Sequence, residues 1–581
     1  MTMRKSLCVL GLAAAVCITV SAQNSIHSIG ELNSGRGPWD ASELNSHVAD
    51  ISRSTLEPDF RTFRTLGEKE LGQQMLDYGR IKRLQDGTYV LFYQSLRVGY
   101  HIYVSFSRDL LEWTPGLRVF EGREFINPEG EKDHWKYATA DAVQLKNGDI
   151  LVFCIFHANN HYGRHLDQFG VCFKRSSDGG HTWSEEQVLY NTVNWEPYPM
   201  VLDDGEILVF FTDSDWDWNP NSSGTSILRS KDDGKTWTLQ KQAIRQRRAT
   251  ARVNQRSVGT PRLNPDSTRT VFTDQMPVVC KLNCGNRSLA VLESSDAEKN
   301  LTISLAWEEE HWPVTLTGEM TGPKLRRNNN FAGSGPYVMQ FPSGETAVTY
   351  TNGEGHFACR LGNETGWDIP EREEFTPFGG KIGRWGSVSL ADSHTAVSVV
   401  THPYKGVNEE KGHLLVTQMR LNHRVDAPAL TPQMDGKSQE WDSVSDALFL
   451  GSDTPAQCSM RFAHDDSRLY ILVECLDSEI SAGDGLTLLL GNGSDDKGLY
   501  KIFLDASPKK VSIHPAPTLK SAAAVSKGEG YTAEFSIEKS ALPLDGDYLY
   551  VNAMLYKGDT CDCFTNVPTF GYDRWLPVKL K

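Results

Sequence analysis

The sequence predicts an all-β chain, a six-bladed β-propeller followed by a β-sandwich, and three observations predict it. A short phrase of apolar strand, tight turn and apolar strand occurs six times between Arg80 and Val400. The phrase stops at a proline-broken stretch, "NHRVDAPALTPQMDG". Beyond it, strand-like runs such as "RLYILVECL", "YTAEFSIEK" and "YLYVNAMLY" continue without the phrase. The six copies are "RIKRLQDGTYVLFY", "DAVQLKNGDILVF", "YPMVLDDGEILVFF", "PVVCKLNCGNRSLAVL", "PYVMQFPSGETAVTY" and "SVSLADSHTAVSVV". Their turns fall at Asp86-Gly87, Asn147-Gly148, Asp204-Gly205, Cys284-Gly285, Ser343-Gly344 and Asp392-Ser393. Asp-Gly and Asn-Gly supply the positive φ of two-residue hairpin turns, so each phrase reads as a β-hairpin. A single hairpin cannot bury a core, and repetition at this interval predicts blades stacked about an axis.

The elements follow in chain order. "MTMRKSLCVLGLAAAVCITVSAQ" places Arg4 and Lys5 before an apolar run that ends at Val20-Ser21-Ala22. That is the pattern of a signal peptide over residues 1–22, and it predicts a secreted protein, periplasmic or extracellular, cleaved near Ala22. No later apolar run is long enough to span a bilayer. Residues 23–425 form the propeller and 431–581 the sandwich. A formal net charge of −15 argues against nucleic acid or an anionic membrane as partner. The nine cysteines after the leader include several inside apolar strands, such as Cys154 in "LVFCIF". They read as buried small hydrophobes. No His/Cys set has zinc-site spacing, so neither metal nor cofactor is expected.

Within the propeller, Ser176-x-Asp178-x-Gly180-x-x-Trp183 and Ser230-x-Asp232-x-Gly234-x-x-Trp237 share one signature, with a worn copy in Ser107, Asp109 and Trp113. These are Asp-boxes, and the chain resembles the six-bladed propellers of the sialidase superfamily. Their Asp and Ser side chains close a turn while the Trp packs between blades, which is a structural duty.

The innermost strands begin Asp77-Tyr78-Gly79-Arg80, Thr139-Ala140-Asp141, Trp195-Glu196-Pro197-Tyr198, Asp274-Gln275-Met276-Pro277, Gly335-Pro336-Tyr337 and Arg384-Trp385-Gly386. Each carries charged, amide or aromatic groups where a core strand would be apolar, so the six converge on a polar axial pocket. Glycoside hydrolysis usually needs two carboxylates roughly 5–9 Å apart. Glu196 opens the third blade and Glu293 ends the second strand of the fourth, so both are expected at one end of adjacent blades. Arg80, Asp141, Gln275, Arg384 and Trp195 are expected to line the pocket. Trp216, in the loop "TDSDWDWNPNSSG", offers an apolar face to a sugar ring.

The segments "WEPY…DGEI" and "MPVV" followed by Glu293 are similar to the exo-1,5-α-L-arabinanase family, retaining exo-enzymes on this propeller. The resemblance implies that Glu196 and Glu293 are the catalytic carboxylates, with Tyr337 as partner to the nucleophile. A sialidase is the alternative. Arg80 in "YGRIKRL" matches the first arginine of that family, but Lys82 replaces its proline. The two further arginines that clamp a sialic acid carboxylate lack a clear pattern. The C-terminal part resembles a family 9 type carbohydrate-binding module through Asp435-Gly436, Trp441, "DDSRLYILVE" and "AEFSIE"; Trp441 reads as core. Together these imply an exported exo-acting glycoside hydrolase on a poly- or oligosaccharide, with a non-catalytic glycan-binding propeller as the further alternative.

Overall fold

The computed structural model describes residues 39–95, 100–160, 165–191, 193–213, 224–238, 251–252, 274–296, 300–309, 324–402, 412–451, 456–515, 519–564 and 575–581. The expected signal peptide and Trp216 lie outside them.

Six antiparallel sheets follow one another along the chain, then two more. The innermost strands of the first six are Leu76–Arg83, Lys132–Gln144, Asn194–Val201, Gln275–Lys281, Ser334–Gln340 and Arg384–Leu390. Each touches the next around the ring, and the last touches the first. This is the expected six-bladed propeller. Its ring is closed by an early strand, Thr55–Leu66, which pairs antiparallel with His413–Asn422 as the outer strand of blade six. Apolar faces of neighbouring blades bury one another; one cluster joins Phe92 and Phe120 of blade one to Tyr137 and Phe156 of blade two.

The hairpin turns differ from the two-residue kind the sequence suggested. Leu84 N–H donates to Thr88 O and Gly87 N–H to Leu84 O, and the same pair of bonds recurs at Leu145–Asp149, Leu202–Glu206 and Phe341–Glu345. These are three-residue loops, a type I turn followed by a left-handed residue. Only the glycine has positive φ, at Gly87, Gly148, Gly205 and Gly344. The preceding Asp86, Asn147 and Asp204 instead use their side chains, each accepting the N–H two residues on. In the first Ser-x-Asp-x-Gly-x-x-Trp segment, Ser176 Oγ donates to Asp178 and accepts the Gly180 N–H. Trp183 packs on Phe92 of the previous blade, and Trp237 on Phe153 and Phe173.

Each innermost strand is interrupted at the same place. Pairing with the second strand slips between Asp77 and Arg80, Ala138 and Asp141, Trp195 and Tyr198, Gln275 and Val278, Ser334 and Tyr337, and Arg384 and Ser387. Inside each bulge one residue has positive φ: Tyr78, Thr139, Glu196, Met276, Gly335 and Trp385. Five of these six are not glycine. A left-handed conformation costs a non-glycine residue roughly 1–2 kcal/mol, and such strain gathers where side chains must be re-aimed for function. The ring of bulges therefore marks one end of the axis.

The last two sheets, of seven and five strands, enclose one core and make the expected sandwich. Its first strand, Val425–Ala427, pairs in parallel with Leu576–Leu580. Trp441 is wholly buried, and its indole N–H donates to Glu534. The two domains touch through Arg61 and Glu474, and through Gln457, which bonds the backbone at Pro58 and Phe60.

Candidate active site

The bulges set three rings of side chains in order. Just outside the bulge stand Asp77, Ala138, Trp195, Gln275, Ser334 and Arg384. Just inside stand Arg80, Asp141, Tyr198, Val278, Tyr337 and Ser387. Glu196 is in the bulge ring itself.

The inner ring forms a closed polar knot. Lys82, two residues beyond Arg80 and so on the same strand face, is fully buried. Its Nζ is 3.0 Å from Asp141 Oδ1 and donates to the Tyr337 hydroxyl at 2.8 Å. Tyr337 donates in turn to Asp141 Oδ2 at 2.9 Å. Arg80 Nε is 3.7 Å from the same oxygen, while its Nη1 donates to the carbonyls of Gly79 and Trp385. The Tyr78 ring covers the guanidinium at 3.8 Å, and Tyr198 meets Tyr337 edge to face. Burial lowers the affinity of Lys82 for its proton, opposed by Asp141, and burial with the nearby Asp141 charge drives the Tyr337 hydroxyl well above its ordinary range. Tyr337 is thus tied to Asp141 and Lys82 as a neutral phenol.

Above this knot lie the two glutamates, each at a station where the other blades carry uncharged groups. In the second strands, the residue paired just outside the bulge is Gln94, Ile155, Thr212, Glu293, Thr351 or Thr401. Four of these accept the bulge N–H of the following blade: Gln94 from Thr139, Thr212 from Met276, Glu293 from Gly335, and Thr401 from Tyr78, all at 2.8–2.9 Å. The contact latches blade to blade, and a neutral amide or hydroxyl suffices for it. A carboxylate at Glu293 exceeds that structural need.

Thr212 does two things at once. Because its oxygen already accepts the Met276 N–H, its hydroxyl proton is directed to Glu196 Oε2, 2.8 Å away. Burial pushes the Glu196 carboxyl up to about 8; Thr212 opposes the shift, the Glu293 charge adds to it, and Arg80 opposes it. Burial likewise pushes Glu293 up to about 7, against the Gly335 N–H. The Glu293 charge thus reaches Glu196, and neither carboxyl makes an ion pair among the described residues. Carboxyls raised to about 8 and about 7 leave one group mostly protonated and the other partly ionised at neutral pH, an acid and a base. A third buried carboxyl, Asp77, is raised to about 6 by burial and held by Thr401, the Tyr78 N–H and Gln94.

The remaining sequence candidates fall around this centre. Gln275 pairs directly with Glu293 and is half-buried. Trp195, also half-buried, lies against His157. Arg384 stands exposed on the rim. Asp77, Tyr78 and Tyr198 entered the sequence reading only as parts of the converging strand starts and Lys82 only as a departure from the sialidase pattern, while Thr212 did not enter it. For Lys82, its place two positions after Arg80, and so on the same strand face, was the available sign. No group of three or more His, Cys, Asp or Glu side chains among the described residues is arranged to hold a metal ion.

The sequence matches no family model and no curated protein. Among solved structures, it is similar to a protein of unknown function from Dyadobacter fermentans DSM 18053, with 15% identity, 63% of this chain and 99% of that one covered, and a TM-score of 0.46. It is also similar to a Trypanosoma rangeli sialidase in complex with sialic acid, at 10% identity, 80% and 88% coverage and a TM-score of 0.39. The C-terminal part is similar to a family 9 carbohydrate-binding module from Caldicellulosiruptor kristjanssonii in complex with cellotriose, at 14% identity, 27% and 93% coverage and a TM-score of 0.23. At these scores the likenesses settle neither fold nor chemistry, which rest on the strands and side chains themselves.

Proposed function

We propose that the chain is a glycoside hydrolase that removes sugars from the end of a glycan, with Glu196 and Glu293 as its carboxylate pair. The observation that carries this reading is the pair itself: two carboxyls on adjacent blades at the bulge end of the axis, raised to about 8 and about 7 mainly by loss of solvent, neither in an ion pair among the described residues. At neutral pH the protonated member can give its proton to the glycosidic oxygen as the bond breaks. The ionised member faces the developing positive charge, either bonding to the sugar or activating water. Thr212 and the Gly335 N–H hold one oxygen of each carboxylate, leaving the other for substrate.

Action at chain ends is supported by the knot beneath. Arg80, Lys82, Tyr198 and Tyr337 are all buried, so a sugar inserted from the mouth meets a floor. An uncharged terminal sugar, as in the arabinanase-like reading, suits this floor better than sialic acid. Arg80 is occupied by Asp141, two carbonyls and the Tyr78 ring rather than presented to a ligand carboxylate. Export and sugar binding by the C-terminal sandwich belong to the same proposal.

The test is product analysis after incubating mature protein with linear arabinan, with sialyllactose and with a panel of neutral oligosaccharides. Release of short neutral sugars from chain ends is expected. Free sialic acid would replace the neutral-sugar reading with the sialidase one, and no release from any of them would remove the hydrolase reading.

A further inference from the structure

Nine cysteines lie in the described residues, and four of them face one another across strands. Cys154 pairs in register with Cys172 between the second and third strands of blade two, with the sulfurs 3.6 Å apart. Cys458 pairs with Cys475 in the same way between two strands of the sandwich. All four are buried, each pair inside a different apolar core. None of the other five faces a cysteine in the strand pairings. Cys280 faces Leu289, Cys359 faces Thr349, Cys561 faces Tyr556, Cys563 faces Met554, and Cys284 sits in a turn.

Directly opposed residues of antiparallel strands have Cα atoms about 4.5 or 5.5 Å apart, both within the span a disulfide bridges, and their side chains share a face. We infer that Cys154–Cys172 and Cys458–Cys475 are the chain's two sites of disulfide formation, one in each domain, and that the other five cysteines stay as thiols. Each bridge forms by exchange with a small-molecule or protein disulfide. One cysteine thiolate attacks the oxidant and expels a thiolate. The facing cysteine then attacks the mixed disulfide and expels the second. Two protons and two electrons leave the cysteine pair, and the oxidant ends as two thiols.

Timing follows from burial. In the closed fold these sulfurs are out of reach of an oxidant, and burial raises Cys154 and Cys172 above the ordinary thiol range, where thiolate is scarce. Bridging therefore belongs to the period when the strands pair. The redox state of the finished protein then records the compartment in which it folded.

The experiment is denaturation of the full mature chain, refolding in a glutathione redox buffer, alkylation in denaturant and peptide mapping. The expected result is two linked peptides, 154 with 172 and 458 with 475, a mass deficit of two hydrogens for each, and five alkylated cysteines. Protein refolded with reductant and then placed in the same buffer is expected to keep nine alkylatable cysteines. Nine free thiols after oxidative refolding, or bridges among the other five, would overturn the inference. The mapping is independent of any enzymatic activity, so its failure and the failure of the hydrolase reading are distinguishable.

Discussion

At the scale of single residues, the site is a place where the fold accepts a cost. Glu196, half-buried, combines a desolvated carboxyl with a left-handed backbone, and no packing argument calls for either. Its folded pKa lies above the unfolded value, so the stability associated with its proton is present below about pH 4.5 and is lost as pH rises through about 8. Glu196→Gln, neutral at every pH, is therefore expected to raise the melting temperature, and the gain should grow from pH 5 to pH 9. Its size is on the order of 1–4 kcal/mol at the alkaline end, read from thermal melts across that range. A flat difference would mean that Glu196 is solvated. Thr212→Val removes both the donor to Glu196 and the acceptor for the Met276 N–H. It is expected to cost about 1–3 kcal/mol and to move the alkaline limb of the pH–rate profile upward, while Thr212→Ser restores both. For the intact pair the profile should be a bell, rising through about 7 and falling through about 8.

At the scale of elements, the sandwich has its own buried anchor. Glu534 accepts the Trp441 indole N–H on one oxygen and the Asp435 and Gly436 N–H groups on the other, and is fully buried. Trp441→Ala is expected to destabilise the sandwich by about 3–5 kcal/mol without altering glycan retention by the folded fraction, checked by denaturant titration and affinity electrophoresis. What the sequence revealed of these elements divides along physical lines. The hairpins were legible because alternation of apolar residues around a glycine is a local signal. The turn length was not, since Asp86 stabilises a three-residue loop with its side chain as readily as a two-residue one with its backbone. Glu196 and Glu293 were legible as carboxylates at strand ends. Thr212 and Lys82 were not, because a threonine in a strand is ordinary and the partners of Lys82 lie on blades two and five.

At the scale of the whole molecule, the ring depends on one strand from early in the chain. Just before that strand, Ser54 donates to Glu345 at 2.6 Å and lies 2.9 Å from His423, while His423 and Glu345 are 2.6 Å apart and both fully buried. The cluster ties the closing strand to the blade-five hairpin and to the start of the inter-domain link. Burial pushes the Glu345 carboxyl up, but His423 and the two serines bring it below its ordinary value. Its contribution is thus present above about pH 4.5 and lost on acidification through the lower folded value. His423→Ala leaves a buried carboxyl without its partner and is expected to cost about 3–5 kcal/mol near neutrality. The deficit should shrink at pH 4–5, where the stranded carboxyl takes up a proton, as melts at the two pH values would read. An equal deficit at both would deny the His423–Glu345 contact its role in closure.

The same ring places the two carboxylates on adjacent blades, and the central claim is that they work as a pair. It is tested most directly by comparing turnover of linear arabinan and the neutral oligosaccharide panel by wild type, Glu196→Gln and Glu293→Gln, each verified as folded by its melt. Both substitutions are expected to lower turnover by about 100-fold or more, in line with loss of a general acid or base, while the proteins stay folded. Turnover near the wild-type level in either variant would contradict the pair and leave Glu293 as only a latch between blades.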